Sequence, residues 1–281
     1  MRAAAIGQKE FEPGNPVRGS EPLLDLRDLE VTFQSPGQVP VKALKGISFQ
    51  IGQGESLGIV GESGSGKSTL AHSILRLLPR DIARVRGEIH FDGLNLVSAS
   101  ERALQRIRGA RIAMIFQQPA MALHPLMRVS RQVTEVIHAH RPWRWRRCAN
   151  EAMRVLERLF GTDCRRVSQA YPHQLSGGEK QRVAIAQAVA CEPQLVIADE
   201  PTASLDAVWQ ADILGVFREM RSARSVSLLF ITHNPAILPE LADRILVLRG
   251  GELVEQGRFE ELCRRPRAAY TAELLSSLTA L

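Results

Sequence analysis

Residues 61–69 read GESGSGKST, which fits G-x-x-x-x-G-K-S with Gly61, Gly66, Lys67 and Ser68. Flanked by an apolar strand and a helix, that spacing builds a phosphate-binding loop. The glycines let the backbone N–H groups of the whole loop, Glu62, Ser63, Gly64, Ser65 and Thr69 included, turn inward around phosphate oxygens. The helix N-terminus adds partial positive charge, Lys67 reaches the terminal phosphates and Ser68 offers a hydroxyl to Mg²⁺. Lysine occupies only five positions in the chain, so a chance match is rare.

Three further stretches carry groups suited to the same chemistry. LVIADEP sets Asp199 and Glu200 at the end of a buried apolar strand, whose carboxyl edge is where ligands collect in an open parallel sheet. On opposite strand faces, one carboxylate can hold Mg²⁺ while its neighbour accepts a proton from attacking water. In LLFITHN, His233 ends the next apolar strand, and a parallel pairing delivers it to the same edge. Gln117 in IFQQP ends another strand there and is a candidate ligand of Mg²⁺ or water. Away from these, Ser176, Gly177 and Gly178 in LSGGEKQR open an alanine-rich helix, a second anion site made of N–H groups and a helix dipole. One nucleotide does not need two such turns from one chain. The simplest resolution is that the second turn serves a nucleotide held by another subunit.

Composition limits the setting. At 281 residues, 44% hydrophobic and 23% charged, the chain suits one large α/β unit with a smaller appendage. No apolar run reaches the roughly 18 residues that span a bilayer, and the first residues lack the apolar core of a secretion signal. A cytosolic chain that meets membranes through partners is expected. The four cysteines, Cys148, Cys164, Cys191 and Cys263, form no C-x-x-C pair, which argues against zinc and disulfides. The net charge of +6 is nearly all arginine spread along the chain. Its one cluster, HRPWRWRRCANEAMRVLERLF, reads as a solvated helix burying Ala152, Val155, Leu156 and Leu159; a nucleic-acid or lipid surface is the sharper but less favoured reading.

Elements that must position the chemistry follow from periodicity. LLDLRDLEVTFQ and VKALKGISFQIG alternate as half-exposed strands, ESLGIVG runs into the glycine loop, and STLAHSILRLL predicts a helix ended by Pro79. GEIHFDG and RIAMIFQQP are two more strands. From about Pro119 to Pro172 the periodicity is helical, interrupting the strand–helix alternation. Alternation resumes through EKQRVAIAQAVACEP, QLVIADEP, AVWQADILGVFREMRSA and VSLLFITHN to the hairpin RILVLRGGELVEQG. Fully apolar strands such as LVIAD imply a mainly parallel sheet covered on both faces.

In this order, phosphate loop, FQ loop, LSGGE signature, acidic strand, SLD loop (Ser204 to Asp206) and strand-end histidine, the chain resembles an ATP-binding cassette (ABC) ATPase over about Leu23 to Gly257. The resemblance implies an α/β P-loop NTPase (RecA-like) core with an antiparallel β subdomain and an inserted α-helical signature subdomain. It implies a tail over 1–21 and a cassette over 22–258. Core and β subdomain would occupy 22–118 and 182–258, the helical subdomain about 119–181, and a short helical tail 259–281. It further implies head-to-tail cassette pairs, with ATP between the phosphate loop of one and the signature of the other. Glu200 would be the general base and Lys67 would bind the β/γ-phosphates. Asp199, Ser68 and Gln117 would serve Mg²⁺, and His233 would brace the γ-phosphate. Ser176, Gly177, Gly178 and Glu179 would face the opposite nucleotide, Asp206 would couple the two sites, and Phe33 is the candidate for stacking on adenine.

A narrower likeness, through MIFQQPAMALHPLMRV, YPHQLSGG and RRPRAAYTAELL, is to ATPase subunits of the peptide, nickel and opine importers. It implies a second ATPase subunit, two transmembrane permease subunits and an extracytoplasmic solute-binding protein, with this chain peripheral at the cytoplasmic face of the cell membrane. Gln118, His124 and Asn234 depart from residues common in that group, which blurs the solute. Two alternatives stay open: an exporter ATPase, and a soluble ABC ATPase acting on nucleic acid or ribosomes. The second is disfavoured because such relatives typically carry two cassettes, a coiled coil or zinc modules.

Overall fold

A computed structural model describes residues 21–203, 205–223 and 226–276. Most of the expected N-terminal tail, Ser204 of the SLD loop, and 277–281 lie outside the described residues. The strands are β1 (Leu24–Phe33), β2 (Val41–Ile51), β3 (Ser56–Val60), β4 (Ala83–Phe91), β5 (Leu94–Asn95), β6 (Ile112–Ile115), β7 (Leu195–Asp199), β8 (Ser227–Thr232), β9 (Arg244–Arg249) and β10 (Glu252–Gly257). Helices follow as α1 (Lys67–Ile74), α2 (Glu101–Gln105), α3 (Pro119–Ala122), α4 (Val129–His140), α5 (Trp145–Phe160), α6 (Cys164–Gln169), α7 (Gly177–Val189), α8 (Ala207–Ala223), α9 (Phe259–Arg264) and α10 (Ala269–Ser276).

Two sheets result. The first, ordered β2-β1-β4-β5, is antiparallel throughout. The second, ordered β10-β9-β3-β8-β7-β6, is parallel from β9 to β6 and closes with the antiparallel β9–β10 hairpin. Every residue of β3, β7 and β8 is buried, as strands covered on both faces must be. Each fully buried Leu or Ile there contributes about 1.5–3 kcal/mol relative to exposure. One apolar cluster joins the antiparallel sheet, α1 and one face of the parallel sheet; a second packs α8, with Phe217 edge-on to Phe230, against the other face.

The helical insertion has its own core. Val129, Val133 and Ile137 of α4 face Cys148, Ala152, Leu156 and Phe160 of α5, a spacing of four on each helix. Ala152 and Leu156 are buried as their spacing predicts, but Val155 and Leu159 are only half-buried and Cys148 and Phe160 complete the line. Helix α7 runs unbroken from Gly177 to Val189, from the insertion into the core. Helix α1 stops at Ile74 rather than at Pro79. Arg108 donates to the carbonyls of Leu75 and Arg76 at 2.8 and 3.1 Å, capturing the helix's last acceptors, while Arg76 turns to φ 50°.

Candidate functional site

Four neighbouring strands deliver the chemistry to one edge. In the register of the parallel sheet Val60 faces Thr232, Ile231 faces Asp199 and Ala198 faces Ile115. The carboxyl ends of β3, β8, β7 and β6 therefore lie level. The phosphate loop follows β3, His233 follows β8, Asp199 and Glu200 end β7, and Gln117 follows β6.

Within the loop Lys67 is buried, and its Nζ donates to the carbonyl oxygens of Gly61 and Glu62, both at 2.8 Å. Burial lowers the Lys67 pKa, partly offset by the charges of Glu200, Asp199 and Glu62. That coupling puts the lysine and both carboxylates in one field. Ser65 is buried while Ser63, Gly64 and Ser68 are exposed at the loop's mouth. Gly61 admits no other residue: a Cβ there would stand 2.1 Å from the Leu248 carbonyl oxygen.

Asp199 is 4% exposed, and among the described residues its Oδ1 has no hydrogen-bond partner. Burial pushes its carboxyl above the usual aspartate range, with the Ser68 hydroxyl and His72 pulling it back only in part. An orphaned buried oxygen beside a serine hydroxyl is an all-oxygen donor set, which suits Mg²⁺.

Glu200 leaves the strand at once. Its φ is 46°, so the expected separation of the two carboxylates comes from a left-handed kink, not from strand alternation. Its backbone N–H donates to the Ile231 carbonyl at 2.9 Å and fixes the kink. Gln117 Nε2 donates to Glu200 Oε2 at 3.2 Å, and His233 Nδ1 lies 3.0 Å from the same oxygen. Beside them a cavity of about 130 Å³ is lined by Glu200, Thr202, Gln210, Thr232, His233 and Asn234.

The signature turn stands apart. Among the described residues no hydrogen bond or ion pair joins 176–179 to 61–69. Ser176 caps α7, accepting the Glu179 N–H at 3.2 Å, while Glu179 Oε2 accepts the Ser176 N–H at 2.8 Å. Burial pushes the Glu179 carboxyl up, but hydrogen bonds from Arg166 and Ser176 outweigh it and hold the pKa below the usual range. Gly177 and Gly178 form the first turn of α7; a Cβ on Gly178 would stand 2.1 Å from Trp209.

Two expected residues sit in structural roles within the chain. Asp206 Oδ1 accepts the N–H groups of Val208 and Trp209 at 3.1 and 3.0 Å, capping α8. Phe33 is half-buried against the first core cluster, between Val41 of β2 and Ala83 of β4. Arg166, Trp209 and Tyr270 escaped the sequence reading. Arg166 and Trp209 lie outside the phosphate-loop, signature and acidic-strand motifs, Tyr270 lies within the RRPRAAYTAELL tail with no chemical role read for it, and only packing brings the three to the signature and the phosphate loop.

Comparisons with known proteins fit this geometry. The ABC transporter family profile matches residues 44–203. A probable peptide ABC transporter ATP-binding protein of Sinorhizobium fredii is 43% identical over 257 residues, covering 91% of this chain and 76% of the relative. An oligopeptide transport ATP-binding protein of Bacillus subtilis is 42% identical over 262 residues, covering 92% and 72%. Among solved structures, a dimeric ATP-binding cassette in a post-hydrolysis state with ADP and Pi superposes with a TM-score of 0.74 at 28% identity, over 84% of this chain and 98% of that one. Phosphate loop, acidic strand, histidine and signature thus occur together on the α/β fold of an ATP-hydrolysing cassette, and the chain belongs to the ABC transporter family.

Proposed function

We propose that this chain is the ATP-hydrolysing subunit of an importer for peptides or related small solutes. The observation that carries the hydrolytic reading is the meeting of Gln117 and His233 on one oxygen of Glu200, in the same field as Lys67, while the relatives' names support peptide transport. The N–H groups of the loop up to Thr69, apart from that of Glu62, which is bonded to the Tyr270 hydroxyl, cradle the phosphates of ATP, and Lys67 gives up its loop carbonyls to bind the β- and γ-phosphates. Asp199, Ser68 and Gln117 would hold Mg²⁺, which when bound would supply charge neutralisation for the phosphates. Glu200 accepts the proton of the attacking water. His233, with Nδ1 committed to Glu200, presents Nε2 to the γ-phosphate.

The signature turn has a cap, a pinned glutamate and, among the described residues, no hydrogen bond or ion pair to its own phosphate loop, which supports its use in trans. Ser176, Gly177, Gly178 and Glu179 meet the nucleotide of a second cassette, and Asp206 couples the two sites across the pair. Phe33 stacks on adenine. The division into a core with β subdomain, a helical subdomain and a C-terminal tail stands as part of this reading. Among the described residues no helix is long and apolar enough to cross a membrane. Met121 and Leu126, 82% and 80% exposed just after Gln117, offer apolar contacts to permease subunits. The chain then works peripherally at the cytoplasmic face of the cell membrane, with a solute-binding protein outside. The relatives' names favour transport over the soluble reading.

Glu200→Gln tests the assignment. It keeps the shape and hydrogen bonds of the side chain but cannot take a proton. ATP binding should persist, hydrolysis should fall about 100- to 10,000-fold, and sizing in ATP should show a trapped dimer. Hydrolysis at the wild-type rate would remove Glu200 as the base.

A further inference from the structure

The C-terminal elements reach back to the phosphate loop. The backbone N–H of Glu62, second residue of that loop, donates at 3.2 Å to the hydroxyl of Tyr270 in α10, 208 residues later. Tyr270 is 5% exposed, and the Arg249 guanidinium lies 4.6 Å above its ring. Glu255 of β10, 6% exposed, accepts the N–H groups of Arg267 and Ala268 at 2.9 and 3.1 Å, tying the entry of α10 to the edge of the sheet. The segment leading into α10 is therefore tied to a strand, and a cation covers the tyrosine ring.

The bond falls on an informative peptide unit. Lys67 Nζ donates to the Gly61 carbonyl, and the N–H of the same Gly61–Glu62 peptide goes to Tyr270. Both ends of one amide plane are thus fixed. When Lys67 turns to a phosphate it releases the carbonyl end, and the Tyr270 hydroxyl still holds the N–H end of the plane. A loop whose other N–H groups must stay aimed at phosphate gains from a root that cannot swivel.

We propose that Tyr270 is a positioning residue of the nucleotide site, and that the segment from β10 through α10 clamps the phosphate loop in its binding geometry. The proposal rests on the reading that residues 61–69 cradle ATP. Tyr270→Phe keeps the ring and deletes only the acceptor; Glu255→Gln weakens the anchor of α10 without touching the loop. Both are tested in the full chain by calorimetric titration with ATP, steady-state hydrolysis, and amide exchange at Glu62.

For Tyr270→Phe the expected result is ATP binding weakened about fivefold, the yield of one neutral hydrogen bond. KM should rise in parallel, kcat should change less than twofold, and exchange at Glu62 should speed up. Glu255→Gln should shift the same quantities in the same direction, and the double variant should lose less than the product of the two. Wild-type affinity and wild-type Glu62 exchange in Tyr270→Phe overturn the clamp alone, as does a fall in kcat at constant KM. If Tyr270→Phe does not fold, unchanged affinity and exchange in Glu255→Gln overturn it. A wild-type chain that binds no ATP brings down the cradle reading and the clamp with it.

Discussion

Gly178→Ala sets a methyl carbon against an indole ring. The new Cβ would lie 2.1, 2.3 and 2.5 Å from Trp209 Cδ2, Cε3 and Cγ, where carbon atoms normally rest about 3.5–4.0 Å apart. For the methyl to fit, Trp209 must shift its ring against its neighbours. Its backbone N–H is tied to Asp206 at 3.0 Å, and the Arg182 guanidinium lies 5.5 Å from its ring, itself bonded to Asp212 at 2.7 Å. An overlap of this size in packed surroundings costs about 1–3 kcal/mol, which lowers the melting midpoint by about 2–4 °C per kcal/mol in a chain of this class. Circular dichroism melts and ATP turnover should be read in two backgrounds, wild type and Trp209→Ala. In the second the obstacle is gone, and the alanine should cost under about 0.5 kcal/mol, a coupling of about 0.5–3 kcal/mol. Equal losses in both backgrounds, or a wild-type midpoint for the single variant, would refute the packing argument.

Asp199→Asn should act oppositely on stability and turnover. Burial raises the Asp199 pKa, so the folded state binds its proton more tightly than the unfolded chain. The resulting stability is complete below the unfolded pKa and lost as pH rises through the folded one. At pH 7 the nucleotide-free variant should melt above wild type, with the gap closing in acid, while ATP turnover falls about 100-fold or more. A variant less stable than wild type at pH 7 would contradict this. Ser176→Arg should leave ATP binding by the monomer nearly intact while abolishing the ATP-dependent dimer in sizing experiments, with about 1 kcal/mol of stability lost with the cap. Loss of monomer binding would show that the signature acts on its own nucleotide.

How far the sequence carries depends on how local each feature is. Residues 61–69, 175–179 and 195–200 each encode their structure within a dozen positions, by glycines at fixed spacing or an unbroken apolar run, so loop, capped helix and buried strand were legible without coordinates. The parallel sheet followed too, since β7 and β8 have no polar face. Helix ends were read less well: α1 stops where Arg108, more than thirty residues later, takes its carbonyls.

By itself the sequence determined which groups could do chemistry and which elements would carry them. Only the tertiary structure decided which oxygen of Glu200 receives Gln117 and His233, that Glu200 turns through a left-handed kink, that Trp209 lies on Gly178, and that Tyr270 holds the Glu62 amide. The reason is physical. Periodicity and spacing report interactions within a turn or a strand, whereas these contacts join residues up to 208 positions apart, and their geometry exists only once the sheet and its flanking helices have closed.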